Sequence, residues 1–322
     1  LRPFVPLFRN PDLLTIAAHL WPRRLDHRRY PVHRRLYRTD PETRVLVEEQ
    51  RPEGNARGDV ILVHGLESSS RAGYLRSLAQ ALLDAGFSAH RLNLRSCGGT
   101  EALCRTAYHS GLTCDLGAVA RILAAGGRPV FVVGFSLGGN VALKLAGELG
   151  EDACGLIAAV CAVSTPLDLA ACVGQLERPR NRLYELRFLR ALRRRMRIKH
   201  RQFPDAFPLD GLSSVRSVRE FDDRFTAPGF GFRNAAEYYE TQSAIHFLPS
   251  IRVPALLIHA ADDPFIPPEV YRSVPPAIQV ISADHGGHLG FLSRRRPRFW
   301  LDAVIVDWIT ARGHPRLESP GR

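Results

Sequence analysis

The sequence predicts an α/β protein, with a mostly parallel central sheet flanked by helices and interrupted by an inserted helical cap. Three observations carry that expectation. From Asp59 onward, short apolar runs alternate with longer stretches of helical spacing; the rhythm fails between Pro166 and about His246; and it resumes at Ala255. Parallel strands need a crossover of a dozen or more residues between them, so strand-helix alternation of this kind points to a parallel sheet.

Taken in chain order, the first forty residues read as a separate arm. Pro3, Pro6, Pro11, Pro22 and Pro31 recur too often there for long regular structure, although 13–20 has room for two helical turns. Strands are expected at 60–63, 88–94, 130–134, 156–163, 255–260 and 278–282. Helices are expected at 72–85, 112–125, 137–149 and 299–311, with Gly86, Gly126 and Gly150 placed to stop the first three. The organisation that follows is an arm at 1–40, a sheet domain built from 41–165 and 247–322, and a cap at 166–246, where Arg-rich helical pieces and Phe/Pro/Gly-rich loops replace the strands.

Bulk properties narrow the function classes. A chain of 322 residues with 45% hydrophobic content can bury a large core, and the absence of repeats disfavours a solenoid. The net charge is +12, yet the basic residues, Arg almost throughout, are spread over the arm, 178–201 and 294–298. Nucleic-acid binding calls for a focused basic face and is not expected; weak attraction to an anionic membrane surface or an acidic substrate fits the spread charge better. Six cysteines without a C-x-x-C pair argue against zinc, and no metal or organic cofactor is required. The apolar stretch 13–21 is too short to span a bilayer and the N-terminus lacks the order of a secretory signal, so no transmembrane segment is expected and the cytoplasm is the default compartment.

The strongest chemical signal is Gly134-Phe135-Ser136-Leu137-Gly138, directly after an expected strand and directly before an expected helix. A G-x-S-x-G turn in that context is a nucleophile elbow, in which a sharp, strained turn exposes the serine hydroxyl. Serine needs a base, and the partners should follow in chain order as acid and then histidine. Asp262-Asp263 follows the strand at 255–260, and His285-Gly286-Gly287-His288 follows the strand at 278–282. Asp263 is the expected acid because it opens Asp-Pro-Phe-Ile-Pro. His288 is the expected base because Gly286-Gly287 gives its loop freedom to bring the imidazole over Ser136, with His285 as the alternative. The oxyanion donors expected are the backbone amides of Leu137 and of Leu66 in the loop after 60–63, with His64 as a structural hydrogen-bonder. His109 is not assigned a proton transfer. The glycine-rich turn 93–99 lacks the spacing of a phosphate cradle.

Taken together, His64-Gly65-Leu66-Glu67, Tyr108-His109-Ser110-Gly111, Gly134 through Asn140, Asp262-Asp263-Pro264-Phe265 and His285 through Phe291 resemble the YheT-like branch of the α/β-hydrolases. Asn10-Pro11-Asp12-Leu13-Leu14-Thr15 in the arm and 221–228 in the cap extend that resemblance. It implies a serine hydrolase acting on small-molecule or lipid carboxylic esters, through Ser136, Asp263 and His288 and a covalent acyl-enzyme. Phe225 and Phe230 of the cap are expected to shape an acyl pocket. A thioesterase, an amidase, a carbon-carbon bond hydrolase or a non-catalytic binding protein on the same fold are the alternatives.

Overall fold

The computed structural model describes residues 3–312, so the last ten residues assigned above to the sheet domain, and the first two of the arm, lie outside the described residues. One sheet of eight strands runs in the order β1-β2-β4-β3-β5-β6-β7-β8. Its strands are β1 (His33–Asp40), β2 (Thr43–Gln50), β3 (Asp59–Val63), β4 (Ser88–Leu92), β5 (Val130–Phe135), β6 (Ala159–Val163), β7 (Ala255–Ala260) and β8 (Gln279–Ala283). From β4 to β8 the pairings are parallel; β1 and β2 form an antiparallel hairpin joined to β4.

β3, β5, β6 and β7 read as nearly continuous apolar runs because both faces are covered; β4 is covered as well but carries His90 and Arg91, and β8, at the edge, stays largely exposed. Successive side chains point to opposite faces, so Ile61, Val63, Val132 and Val160 meet α3 (Cys114–Ala124) and α4 (Leu137–Leu149), while Val60, Leu62, Phe131 and Cys161 belong to a second core with α2 (Gly73–Asp84) and α10 (Trp300–Thr310). These helices and the six parallel strands are those expected, with ends shifted by up to three residues, two of the shifts having a visible cause. The strand expected from 156 starts at Ala159, because a 3-10 turn over Gly150–Gly155 carries the chain up to a helical Leu156. The one expected to 94 stops at Leu92, where Asn93 turns to bind Leu46 O and the Ser70 amide.

Sequence reading gave no strand at 33–50. β1 shows only Tyr37 to the core, as an edge strand can, and β2 ends in Glu48, Glu49 and Gln50, all buried. Those polar groups are held by partners on neighbouring strands: Arg91 pairs with Glu48 at 3.0 Å and donates to Gln50 at 2.9 Å, while Tyr37 donates to Glu49. The sheet therefore begins inside the segment read as arm. Ahead of it, α1 (Pro11–Leu20) runs three turns, longer than expected, because the Asn10 side chain caps it and Pro11 sits at its first position.

Between β6 and β7 come α5 (Leu169–Leu176), α6 (Arg182–Gln202), α7 (Val218–Phe221), a π-turn over Asp222–Thr226, α8 (Ala227–Gly229) and α9 (Ala235–Gln242). Leu189, Leu192, Met196, Val215 and Phe221 give this region a small core of its own. Among the described residues no helix is long and apolar enough to cross a membrane.

Candidate active site

Ser136 stands where β5 ends and α4 begins, with φ 52° and ψ −125°. A non-glycine residue holds such a backbone only where its surroundings impose it. Here the glycines two residues to either side permit it: a Cβ on Gly134 would lie 2.2 Å from Gly138 O, and one on Gly138 would lie 2.5 Å from both Val63 O and His64 O. The turn is thus packed backbone against backbone. The Ser136 amide continues the sheet by donating to Val163 O at 2.8 Å, which anchors the serine to β6.

Two Asp–His pairs occupy the neighbouring strand ends. His288 Nε2 lies 3.0 Å from Ser136 Oγ, and its Nδ1 lies 2.8 Å from Asp263 Oδ2. Asp263 is buried, and its other oxygen accepts from the Phe265 amide at 2.8 Å. The second pair sits apart from the serine: His285 Nδ1 is 3.1 Å from Asp262 Oδ2, and Asp262 Oδ1 accepts from the amides of Gly286 and Gly287 at 2.8 and 2.9 Å. Asp262 and His285 therefore fasten the loop that carries His288.

That loop is held from the other side by the arm. Thr15 Oγ1 donates to Pro11 O at 2.7 Å and accepts from the His288 amide at 2.9 Å. A Cβ on Gly287, whose φ is +54°, would meet Pro11 O at 2.4 Å, and one on Gly290 would meet the Leu14 carbonyl carbon at 2.7 Å. Glycine at both positions lets α1 press directly on the loop backbone.

Leu66 and Leu137 line the same cavity as Ser136 and His288. Leu137 opens α4, whose first amides have no intrahelical acceptor and whose dipole favours negative charge. The loop bearing Leu66 runs against the serine, since a Cβ on Gly65 would lie 3.0 Å from Ser136 Cβ. His64 is used up by this loop: Nδ1 donates to Gly65 O at 2.8 Å, Nε2 accepts from the Leu94 amide at 3.2 Å, and burial lowers its pKa to about 4.

The cavity measures about 500 Å³ and lies between the sheet edge and the region 166–246. Leu169, Leu176, Phe221, Phe225, Phe230 and Ile266 contribute to its apolar wall. His109 also lines it, with Phe230, Phe232 and Tyr238 against the ring; burial lowers its pKa to about 3, Lys144 and Arg95 adding to the effect.

Three features of the site escaped sequence reading. Glu67 Oε1 takes hydrogen bonds from Tyr108 Oη at 2.9 Å and Arg195 Nε at 2.6 Å, and the Glu67 amide donates to Tyr108 Oη, so α6 is tied to the loop of Leu66. Asn140 Nδ2 binds the carbonyls of Ser110 and Gln242, both at 2.9 Å, while its Oδ1 takes the Ala244 amide, locking α4 to the return from the cap. Thr15 is the third. Glu67, Tyr108, Asn140 and Thr15 all stand in the stretches that carry the family resemblance, which marked them without a role. Arg195 was hidden in a run of arginines, although Phe188, Leu192, Arg195 and Lys199 follow one another at steps of three or four residues and so share one helical face.

Comparison with known proteins agrees with this architecture. The sequence profile of the family described as alpha/beta hydrolase fold matches residues 59–294. The chain is 33% identical to the YheT protein of Escherichia coli (strain K12), with 95% of this chain and 93% of that one aligned. It is 31% identical to the mouse protein named phospholipase ABHD3, over 80% of this chain; it spans 65% of the length of that relative. The solved structure of the Pyrococcus furiosus esterase Pf2001 superposes with a TM-score of 0.58 at 16% identity, covering 98% of this chain and all of that one, a likeness of fold.

Proposed function

We propose, for a chain that belongs to the YheT-like branch of the alpha/beta-hydrolase family, that it is a carboxylic ester hydrolase whose catalytic residues are Ser136, His288 and Asp263. The observation that carries this reading is the continuous chain of contacts from Asp263 Oδ2 through His288 to Ser136 Oγ, at 2.8 and 3.0 Å, opening on an apolar cavity.

In the mechanism that these residues support, His288 Nε2 takes the Ser136 proton as Oγ attacks the ester carbonyl. Asp263 holds the imidazole by Nδ1 and stabilises the imidazolium that forms. The amides of Leu66 and Leu137 receive the oxyanion, each such donor contributing about 3–4 kcal/mol of transition-state stabilisation. The imidazolium protonates the departing alkoxide, and water, activated by the same imidazole, releases the acid from the acyl-enzyme. We place the acyl group in the apolar cavity, where Phe225 and Phe230 would pack on it, and assign the cap to 166–246, the arm to the residues ahead of β1, and the sheet domain to β1 through 165 and to 247–322. Small-molecule or lipid esters both suit such a cavity, which falls within the range of ligand sites.

The test is hydrolysis of p-nitrophenyl esters of graded acyl length by the protein and by Ser136→Ala. The variant should lose about 10⁶-fold in kcat when the three residues act as a unit. Equal residual turnover in both proteins would refute the assignment, and the chain-length optimum measures the acyl pocket.

A further inference from the structure

Helix α6 has two faces of opposite character. Phe188, Leu192, Arg195, Met196 and Lys199 point into the cavity. On the other face, Leu183, Arg187, Arg190, Arg194, Arg197 and Arg201 follow one another at steps of three or four residues, and all are exposed. At 1.5 Å per residue the stripe is about 27 Å long. Glu185, the one acidic residue of the helix, is buried away from it. Among the described residues, the carboxylate pairs made by α6 are those of the inward Arg195 with Glu67 and Glu101, so the outward guanidiniums are not neutralised by carboxylates.

Beside the start of this stripe lies an apolar one. Helix α1 buries Leu14 and Ala18 and exposes Leu13, Ile16 and Leu20, at 53%, 48% and 71%. Phe8 precedes it at 39%, and Leu183 of α6 stands at 82%. Five of the eight large apolar side chains exposed among the described residues are thus gathered on these two helices and the turn before them. The helices are joined by Asp12, which meets Tyr184 Oη at 3.1 Å and also Arg180, in the turn just before α6, at 3.6 Å, and by Arg187 donating to His19 Nε2 at 2.8 Å. Because Arg187 and His19 are both exposed, the seam itself faces solvent, and the two stripes share one surface.

We propose that this surface docks the protein on an anionic lipid membrane. The aliphatic side chains of α1 and Leu183 enter the boundary between headgroups and acyl chains, and the arginines of α6 lie along the lipid phosphates. A large apolar stripe beside a cationic one is the composition that an interfacial helix requires. A nucleic acid would engage the guanidiniums and leave the aliphatic stripe in water. Two copies paired about the stripe would set arginine against arginine. Docking in this way puts the bilayer against both elements that build the site, since α6 walls the cavity and α1 carries Thr15 beneath His288. Membrane docking is independent of the proposed reaction, and vesicle binding is read without turnover.

The test is co-sedimentation of the protein with vesicles of phosphatidylcholine alone and of phosphatidylcholine mixed with phosphatidylglycerol. Binding should require phosphatidylglycerol and weaken with added salt. Neutralising Arg190, Arg194 and Arg197 together with glutamine should weaken it about a hundredfold, at roughly fivefold per arginine near an anionic surface. The same variant should hydrolyse a soluble p-nitrophenyl ester at the unaltered rate. Leu13→Ser with Ile16→Ser should weaken vesicle binding with the positive stripe intact, while circular dichroism verifies that α1 persists. The proposal is overturned if the chain binds neither kind of vesicle, or binds both alike and ignores the arginine substitutions. It is equally overturned if these substitutions act only on binding to double-stranded RNA or on dimerisation.

Discussion

The contact between Thr15 and the His288 amide makes a sharp prediction, because the two residues are 273 positions apart and Thr15 does not line the cavity. Thr15→Val keeps the β-branched shape and leaves helix propensity nearly unchanged, so α1 itself is little perturbed. What is lost is the oxygen that accepts from His288 N at 2.9 Å. A part-buried amide left without a partner costs about 1–3 kcal/mol. If that cost falls on the arrangement in which Nε2 reaches Ser136, the competent fraction and kcat drop about 5- to 150-fold. KM should stay near the parent value, since the cavity wall is untouched. Thr15→Ser should restore most of kcat, and in a Ser136→Ala background Thr15→Val should have no further effect. Steady-state kinetics on a p-nitrophenyl ester, with thermal melts alongside, decide the matter. A kcat within about twofold of the parent, with only the melting temperature lowered, would refute a positioning role.

Further predictions follow from the same geometry. Asp263→Asn should lower kcat about 10⁴-fold by favouring the wrong His288 tautomer, whereas Asp262→Asn, at a carboxylate that binds His285 and the loop amides, should fall far short of that; comparable losses in kinetic assays would contradict the assignment. Gly138→Ala should destabilise the fold, because its Cβ would meet two carbonyl oxygens at 2.5 Å; an unshifted denaturation midpoint would show that the elbow yields. Burial raises the Asp302 carboxyl from 3.8 to about 6, against the opposing effects of Arg23 and the Ser77 hydroxyl. Between about pH 4 and 6 the folded state therefore keeps a proton that the unfolded chain has lost. That contribution is fully present below about pH 4 and disappears as pH rises through 6, a change of about 3 kcal/mol. Asp302→Asn should accordingly flatten stability across this window in urea titrations, and an unchanged slope would reject the raised value.

What the sequence discloses follows a physical divide. Strands β3 to β7 and helices α2, α3, α4 and α10 are visible because each must bury an apolar surface, and burial writes itself into local periodicity, whereas the edge strand β8 shows through Val280 and Ile281 although no residue of it is buried. The elbow is visible for a related reason: only glycine fits at 134 and 138, so a steric demand appears as letters at fixed spacing. The hairpin of β1 and β2 is not visible, since Glu48, Glu49 and Gln50 are buried by virtue of partners on other segments, Arg91 and Tyr37. A polar residue carries no local mark of the group it will meet.

The same divide explains the doubled acid and the doubled histidine. Asp262 and Asp263 are adjacent, and His285 and His288 share one loop, so spacing alone cannot sort them into pairs. Chain direction does so in three dimensions: Asp262 turns to the loop amides of Gly286 and Gly287 and to His285, while Asp263 is buried toward Ser136 and meets His288. The pair nearer the serine depends on the pair farther away, because Asp262 fixes the loop on which His288 rides. Thr15 adds a third restraint from the opposite end of the chain. A histidine loop with glycines at 286, 287 and 290 is free by sequence, and these two contacts, together with α1 packed on its backbone, hold it in place. That is why the arm, which contributes no wall to the cavity, belongs to the physical description of the site.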